Sequence, residues 1–244
     1  MNTSGCLSTA DMLAVFTEEI AARGGEVRDT FHDGTRLFVR SVLPRDCEVG
    51  PKDRVQGGVA LKSDGREAWL HPYVFRLVCR NGAIMAHAVQ TCHVPNLDLH
   101  DADDAGVLLR EAIRACCAEE AFTAAAEQMR SARETEVDAA LNLLPLLSHF
   151  GGQGPALLGA ILERFFGEGD RSRFGLMNAV TSLARDTRDP ELRWRLEELG
   201  GGVPALVAPR PAPRKPGRLG PQFQAEGLAP EDPGLELAGR VARR

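Results

Sequence analysis

The chain has 244 residues, of which 43% are hydrophobic and 26% charged, with a net charge of −5. That length accommodates one full-sized core with a tail, and the composition is that of a soluble globular protein. The overall charge excludes a uniformly basic nucleic-acid coat. It leaves room for a local basic surface, because residues 25–95 are slightly positive, about 97–150 acidic, and the last forty or so positive again.

No apolar run reaches the roughly 18 residues of a transmembrane helix. The first thirty residues carry Glu18 and Glu19 and no basic leader, so no signal peptide is expected and the compartment reads as cytoplasmic. In a reducing cytosol the six cysteines would stay as thiols.

Residues 9–23 read as a short helix, capped by Ser8 or Thr9, striped by Leu13, Val15, Phe16 and Ile20, and stopped by Gly24-Gly25. From 25 to 95 the apolar period is two. Strands are expected at about 26–32, 35–43, 54–62, 66–80 and 83–93, with Pro44 and Pro51 bracketing a connection. Asp33-Gly34, Asp64-Gly65 and Asn81-Gly82 punctuate them, and Asn81-Gly82 reads as a two-residue type I′ turn. Along 66–80, Trp69, His71, Tyr73, Phe75, Leu77 and Cys79 share one face, while Leu70, Val74, Arg76, Val78 and Arg80 share the other. Pro72 suggests a bulge or break.

Helices are expected at 104–133, at 135–149 with a division at Pro145, and at 155–167, 172–186 and 190–199, the last ended by Gly200-Gly201-Gly202. Strands first and helices after define an α+β fold: an antiparallel β-meander sheet, covered on one face by a C-terminal helical layer. The expected organisation is a single domain over 1–203, β-rich at 25–95 and helical at 104–200. A disordered Pro/Gly/Arg-rich tail follows over 204–244.

Arg76-Leu77-Val78-Cys79-Arg80-Asn81-Gly82 resembles the RLVC-x-NG signature of a phage- and plasmid-associated family catalogued as domain of unknown function 932. Ser63-Asp64-Gly65 is similar to that family's Asn-Ser-x-Asp-Gly turn. Residues 178–186 resemble its NA-x-TR-x-A helix, and 196–201 its Leu-Glu-x-x-Gly ending. Arg80 and Ser182 stand where the family carries Thr and Arg. The resemblance implies a mobile-element role in DNA metabolism or host conflict, without an established activity. A helix-flanked antiparallel sheet is also similar, by fold-level analogy, to single-strand annealing proteins.

The chemistry with most support is a basic sheet face. Arg36 and Arg40 share a face of the second strand and Arg76 and Arg80 a face of the fourth, while Lys62 flanks the turn between. If the strands neighbour one another, four guanidiniums would line one side, suited to phosphates, with Tyr73 or Phe38 for base stacking. The competing reading is of ordinary solvent-facing charges paired with Asp33, Asp64 and Glu67. Cys79, Cys92, His93, His100, Cys116 and Cys117 could supply zinc ligands but lack a zinc-knuckle spacing, and the cysteines read as buried free thiols acting as small hydrophobes. The adjacent Cys92-His93 and Ser148-His149 have no nucleophile-elbow context. Asp98, Asp101, Asp103 and Asp104 read as helix N-terminal charge.

No catalytic residue, metal or cofactor is therefore assigned. The leading expectation is a non-enzymatic accessory protein that binds single-stranded DNA through Arg36, Arg40, Lys62, Arg76 and Arg80. The alternative is a protein-interaction or oligomeric module without nucleic-acid binding. The third is a metal-dependent or cysteine enzyme.

Overall fold

A computed structural model describes residues 6–86 and 91–206, all within a unit spanning Met1–Ala208. Helix α1 (Thr9–Ala21) opens on a capping box, in which Ser8 accepts from the Asp11 N–H and Asp11 reaches back to the Ser8 backbone. Seven strands follow: β1 (Glu26–His32), β2 (Leu37–Val42), β3 (Asp46–Gly50), β4 (Asp53–Ser63), β5 (Ala68–Arg76), β6 (Asn81–Ile84) and β7 (Cys92–Val94). The helices are α2 (Ala102–Cys116), α3 (Glu119–Arg133), α4 (Ala139–Leu147), α5 (Gly154–Glu168), α6 (Arg173–Asp186) and α7 (Pro190–Gly202). The α+β order of sheet then helices is as expected from the change of period. No helix among the described residues is long and apolar enough to cross a membrane.

All strand pairs are antiparallel, in the order β1-β2-β4-β5-β6. The long β4 shares its outer edge between β2, opposite residues 60–63, and β3, opposite 53–56. Strand β3 went unread because its alternation, Asp46-Cys47-Glu48-Val49, is only four residues long and lies between two prolines. On the far side, β5 is paired with β6 at 73–76 and with β7 at 68–70.

Several expectations are corrected. Strand β5 ends at Arg76 and the third turn is Leu77–Arg80, so Asn81-Gly82 lies inside β6, opposite Arg76 and Phe75. Arg80, not Gly82, takes the left-handed conformation, at φ 53°. Gly82 is required for room: a Cβ there would overlap the Tyr73 hydroxyl. Asn81 instead donates to the Thr181 hydroxyl at 2.5 Å. Leu77 is exposed rather than inward. Pro72 breaks nothing, since β5 pairs with β4 in unshifted register. Its carbonyl accepts from Met85, so its missing N–H faces the β6 side and costs no β4 ladder bond.

The expected helix 104–133 is two helices, α2 and α3, separated at Cys117-Ala118. In the 135–149 segment the helix begins only at Ala139, after the Asp138 cap, and Pro145 stands two residues before its end. Gly200-Gly201-Gly202 do not stop the last helix but belong to it. A Cβ at Gly201 would strike the Ile84 carbonyl and one at Gly200 the Thr181 methyl, so bare backbone lets α7 press onto β6 and α6. Of the expected tail, Pro204 and Ala205 form a 3₁₀ turn with Val203, in which Val203 and Pro204 are buried, and residues from 207 onward lie outside the described part.

The helices cover both faces of the sheet, not one. Leu37, Val39, Val59, Leu61 and Leu70 pack against Met12, Phe16 and Ile20 of α1 and Leu109 and Ile113 of α2. Further along that face, Val55 and Val74 join Phe122 and Met129 of α3 and Phe174 of α6. On the opposite face Phe38, Ala60, Tyr73 and Ile84 receive the fully buried Trp194 of α7.

A candidate anion-binding cleft

Register places the five predicted arginines and lysine in different surroundings. Arg40 is opposite Ala60, which is opposite His71, five residues from Arg76 in an unshifted strand. Side chains alternate along a strand, so Arg40 and Arg76 emerge from opposite faces of the sheet. A common floor of four guanidiniums does not form.

Arg76 is structural. Its Nε and Nη2 each donate to Asp53 at 2.7 Å, and Nη1 donates to the Cys79 sulfur at 3.0 Å. Asp53 also pairs with Arg133, and both guanidiniums lie over the Phe174 ring, Arg133 at 3.7 Å. Arg36 is a turn residue. Asp33 accepts from its backbone N–H at 2.8 Å and from Nε and Nη2 at 2.9 and 2.7 Å, which holds the Asp33 carboxyl well below the usual range. Lys62 reaches over Phe38 and Trp69 to Glu191 of α7 at 2.7 Å. Arg36 matches the reading as an exposed charge paired with Asp33, whereas Lys62 and Arg76 are held by Glu191 and Asp53, residues distant in sequence.

Arg40 and Arg80 do come together. They line a cleft of about 580 Å³ with Arg28, Asp29, Arg193 and Phe75. Three local devices build it. A β-bulge in β1 sets Val27 opposite Ser41 but Asp29 opposite Arg40, which leaves Arg28 as the extra residue and turns it over the Phe75 ring at 5.3 Å. The positive φ of Arg80 directs the end of the β5–β6 turn toward the same space. Helix α7, seated by Trp194 and capped by Asp189, presents Arg193 and Glu197 one turn apart.

Arg40 is the floor. It is only 2% exposed and its Cζ lies 5.7 Å from the Trp194 ring centroid. Its Nε donates to Glu197 at 2.5 Å and its Nη1 to Asp29 at 3.2 Å. Its buried Nη2 has no hydrogen-bond partner among the described residues. Arg193 completes the square, 2.9 Å from Asp29 and 3.2 Å from Glu197. Burial pushes the Glu197 carboxyl up, against the two arginines that pull it down, while burial lowers Arg193 less than the two carboxylates raise it. Burial also pushes the Tyr73 phenol up, so it stays neutral at the cleft wall.

The cleft has an excess of cation. Four guanidiniums face three paired carboxylates, Asp29, Glu197 and the Glu26 that meets Arg28 at 3.0 Å. Arg80 has no salt-bridge partner among the described residues. An orphaned buried donor beside an unpaired surface cation is an arrangement that favours an anion.

The other candidate chemistries do not assemble. Among the described residues no three His, Cys, Asp or Glu side chains gather as a metal site. His93 stacks on Trp69 and meets Glu67 at 2.8 Å, and Asp101 caps α2. Burial and the neighbouring Cys92 push the Cys116 thiol up, the wrong direction for a nucleophile. Arg28, Asp29, Arg193 and Glu197 were missed in the sequence. The one local signal was the Arg193–Glu197 spacing beside a tryptophan; the bulge that aims Arg28 has none. Comparison with family models, curated proteins and solved structures returned no match.

Proposed function

We propose that this protein is a non-enzymatic accessory protein that binds single-stranded DNA by holding phosphate in the Arg28–Arg40–Arg80–Arg193 cleft. The observation that carries this reading is the buried Arg40, locked by Asp29 and Glu197 with Nη2 unpartnered where three more arginines converge. A guanidinium held in place loses little entropy on engaging a phosphate oxygen. The cleft volume lies within the roughly 300–1,000 Å³ range of small-ligand pockets, which favours a single phosphate-bearing strand over a duplex. The resemblance of residues 76–82, 178–186 and 196–201 to the phage- and plasmid-associated family supports a mobile-element setting. Fluorescence anisotropy with single- and double-stranded oligonucleotides across a salt series tests the reading. Affinity for the single strand falls as salt rises and falls again in Arg28→Ala plus Arg80→Ala. No binding at low salt overturns it.

A second reading is an oligomeric module, favoured by Leu141 and Leu144 of α4, each 55% exposed beside an apolar groove lined by Leu147, Pro155 and Leu158. Sedimentation analysis of wild type and Leu141→Ser plus Leu144→Ser distinguishes it, since an oligomer built on this groove dissociates in the variant.

A further inference from the structure

Resting on the reading of the cleft as a phosphate site, we infer that its occupant is a terminal phosphate monoester, the phosphorylated end of a strand, and that Asp29 holds its place in the empty cleft.

The first ground is access. The unpartnered donor of Arg40 is buried, on a side chain 2% exposed that lines the cleft together with Arg28, Phe75 and Arg80. A phosphate within a strand carries two chain substituents and must draw both in to reach that depth. A terminal phosphate carries one, and enters end-on.

The second ground is charge. Asp29 is the only carboxylate among the cleft-lining residues, and it bridges Arg40 and Arg193, where an anion would sit. Its side chain is 39% exposed and stands on the edge strand β1, so it can turn to solvent without disturbing the core. Glu197 is only 2% exposed and stays. With Asp29 turned out, the four guanidiniums face Glu197 and Glu26 alone, an excess of two positive charges. A phosphate monoester near neutral pH carries about −1.5 to −2, whereas an internal diester carries one negative charge and would merely exchange with Asp29. The site in its resting state is therefore matched to a dianion that replaces a monoanion.

The experiment compares one oligonucleotide sequence with a 5′-phosphate, a 3′-phosphate or hydroxyls at both ends, each against a nucleoside monophosphate as competitor. One phosphorylated form binds at least about tenfold tighter than the hydroxyl-ended strand. Asp29→Asn widens that preference by tightening the phosphorylated form, and Arg80→Ala narrows it. Melting curves confirm that both variants are folded. Equal affinity for all three ends overturns the inference while leaving the strand-binding reading in place, and weaker phosphorylated-end binding in folded Asp29→Asn overturns the role of Asp29. Binding of the monophosphate with no binding of any oligonucleotide keeps the monoester seat but removes DNA as its source.

Discussion

Two arginine assemblies lie on opposite faces of one sheet, and they differ in what adjoins them. On the α3 side, Arg76 and Arg133 converge on Asp53 and stack against Phe174, deep between sheet and helices. On the α7 side, Arg40 and Arg193 share Asp29 and Glu197, and a buried donor of Arg40 faces a cleft joined by Arg28 and Arg80. The first ties the N-terminus of β4 to the end of β5 and to α3. The second is also structural, tying β1 and β2 to α7, but it borders a cleft that Arg28 and Arg80 also line. A buried ion cluster is not by itself a sign of function. Each assembly leaves one buried donor without a partner among the described residues, Arg133 Nε in the first and Arg40 Nη2 in the second. What separates them is the cleft and the further cations that line it.

The sharpest way to break this comparison is to remove the carboxylate of the closed assembly. Asp53→Ala leaves two half-buried guanidiniums without their carboxylate and costs about 3 kcal/mol, measured by chemical denaturation. Gly82→Ala comes next. Its new methyl overlaps the Tyr73 hydroxyl, so stability falls by about 1–3 kcal/mol, and Tyr73→Phe in the same chain returns part of that loss.

A smaller effect marks a third cluster, where Glu19 of α1 meets Arg114 at 2.8 Å and Arg23 at 2.7 Å. The Arg114 hydrogen bond, opposed by burial and assisted by Arg23, lowers the Glu19 carboxyl below 4.5. Its contribution is therefore present above pH 4.5 and is lost as pH falls through the lowered value. Glu19→Gln removes about 1 kcal/mol at neutral pH, and melting temperatures of variant and wild type converge in acid. Smallest of all is Arg36→Ala, which leaves strand affinity unchanged, because Arg36 is committed to Asp33 in an exposed turn.

Much of the architecture was legible in the chain. Asp33-Gly34 and Asp64-Gly65 do mark hairpins, with Gly34 and Gly65 at φ 93° and 88° and each aspartate accepting the N–H groups that follow it. They close four-residue connections, not two-residue ones. Asn81-Gly82 misled because glycine is required for two different reasons, a left-handed backbone or the space a neighbour occupies, and composition does not distinguish them. The triple glycine of α7 misled in the same way. The α2–α3 break at Cys117-Ala118 carries neither glycine nor proline. For the site, two of the five residues singled out, Arg40 and Arg80, lie in the cleft. Facing followed the alternation within β2 and β5, but the expected fourth strand ran too far. Arg80 stands in the turn after β5 and lines the cleft on the face opposite Arg76, and register separated Arg76 from Arg40. Arg28 depends on a bulge and Arg193 on how α7 docks, both set by tertiary packing.

The central claim is that Arg80, within the same signature as the structural Arg76, serves the ligand. The direct test is the dependence of single-strand affinity on salt for wild type, Arg80→Ala and Arg36→Ala. The account predicts that Arg80→Ala lowers the affinity and the magnitude of the log–log salt slope by about one, with melting temperature unchanged, while Arg36→Ala matches wild type. Equal slopes in wild type and Arg80→Ala, or equal losses in the two variants, would contradict it.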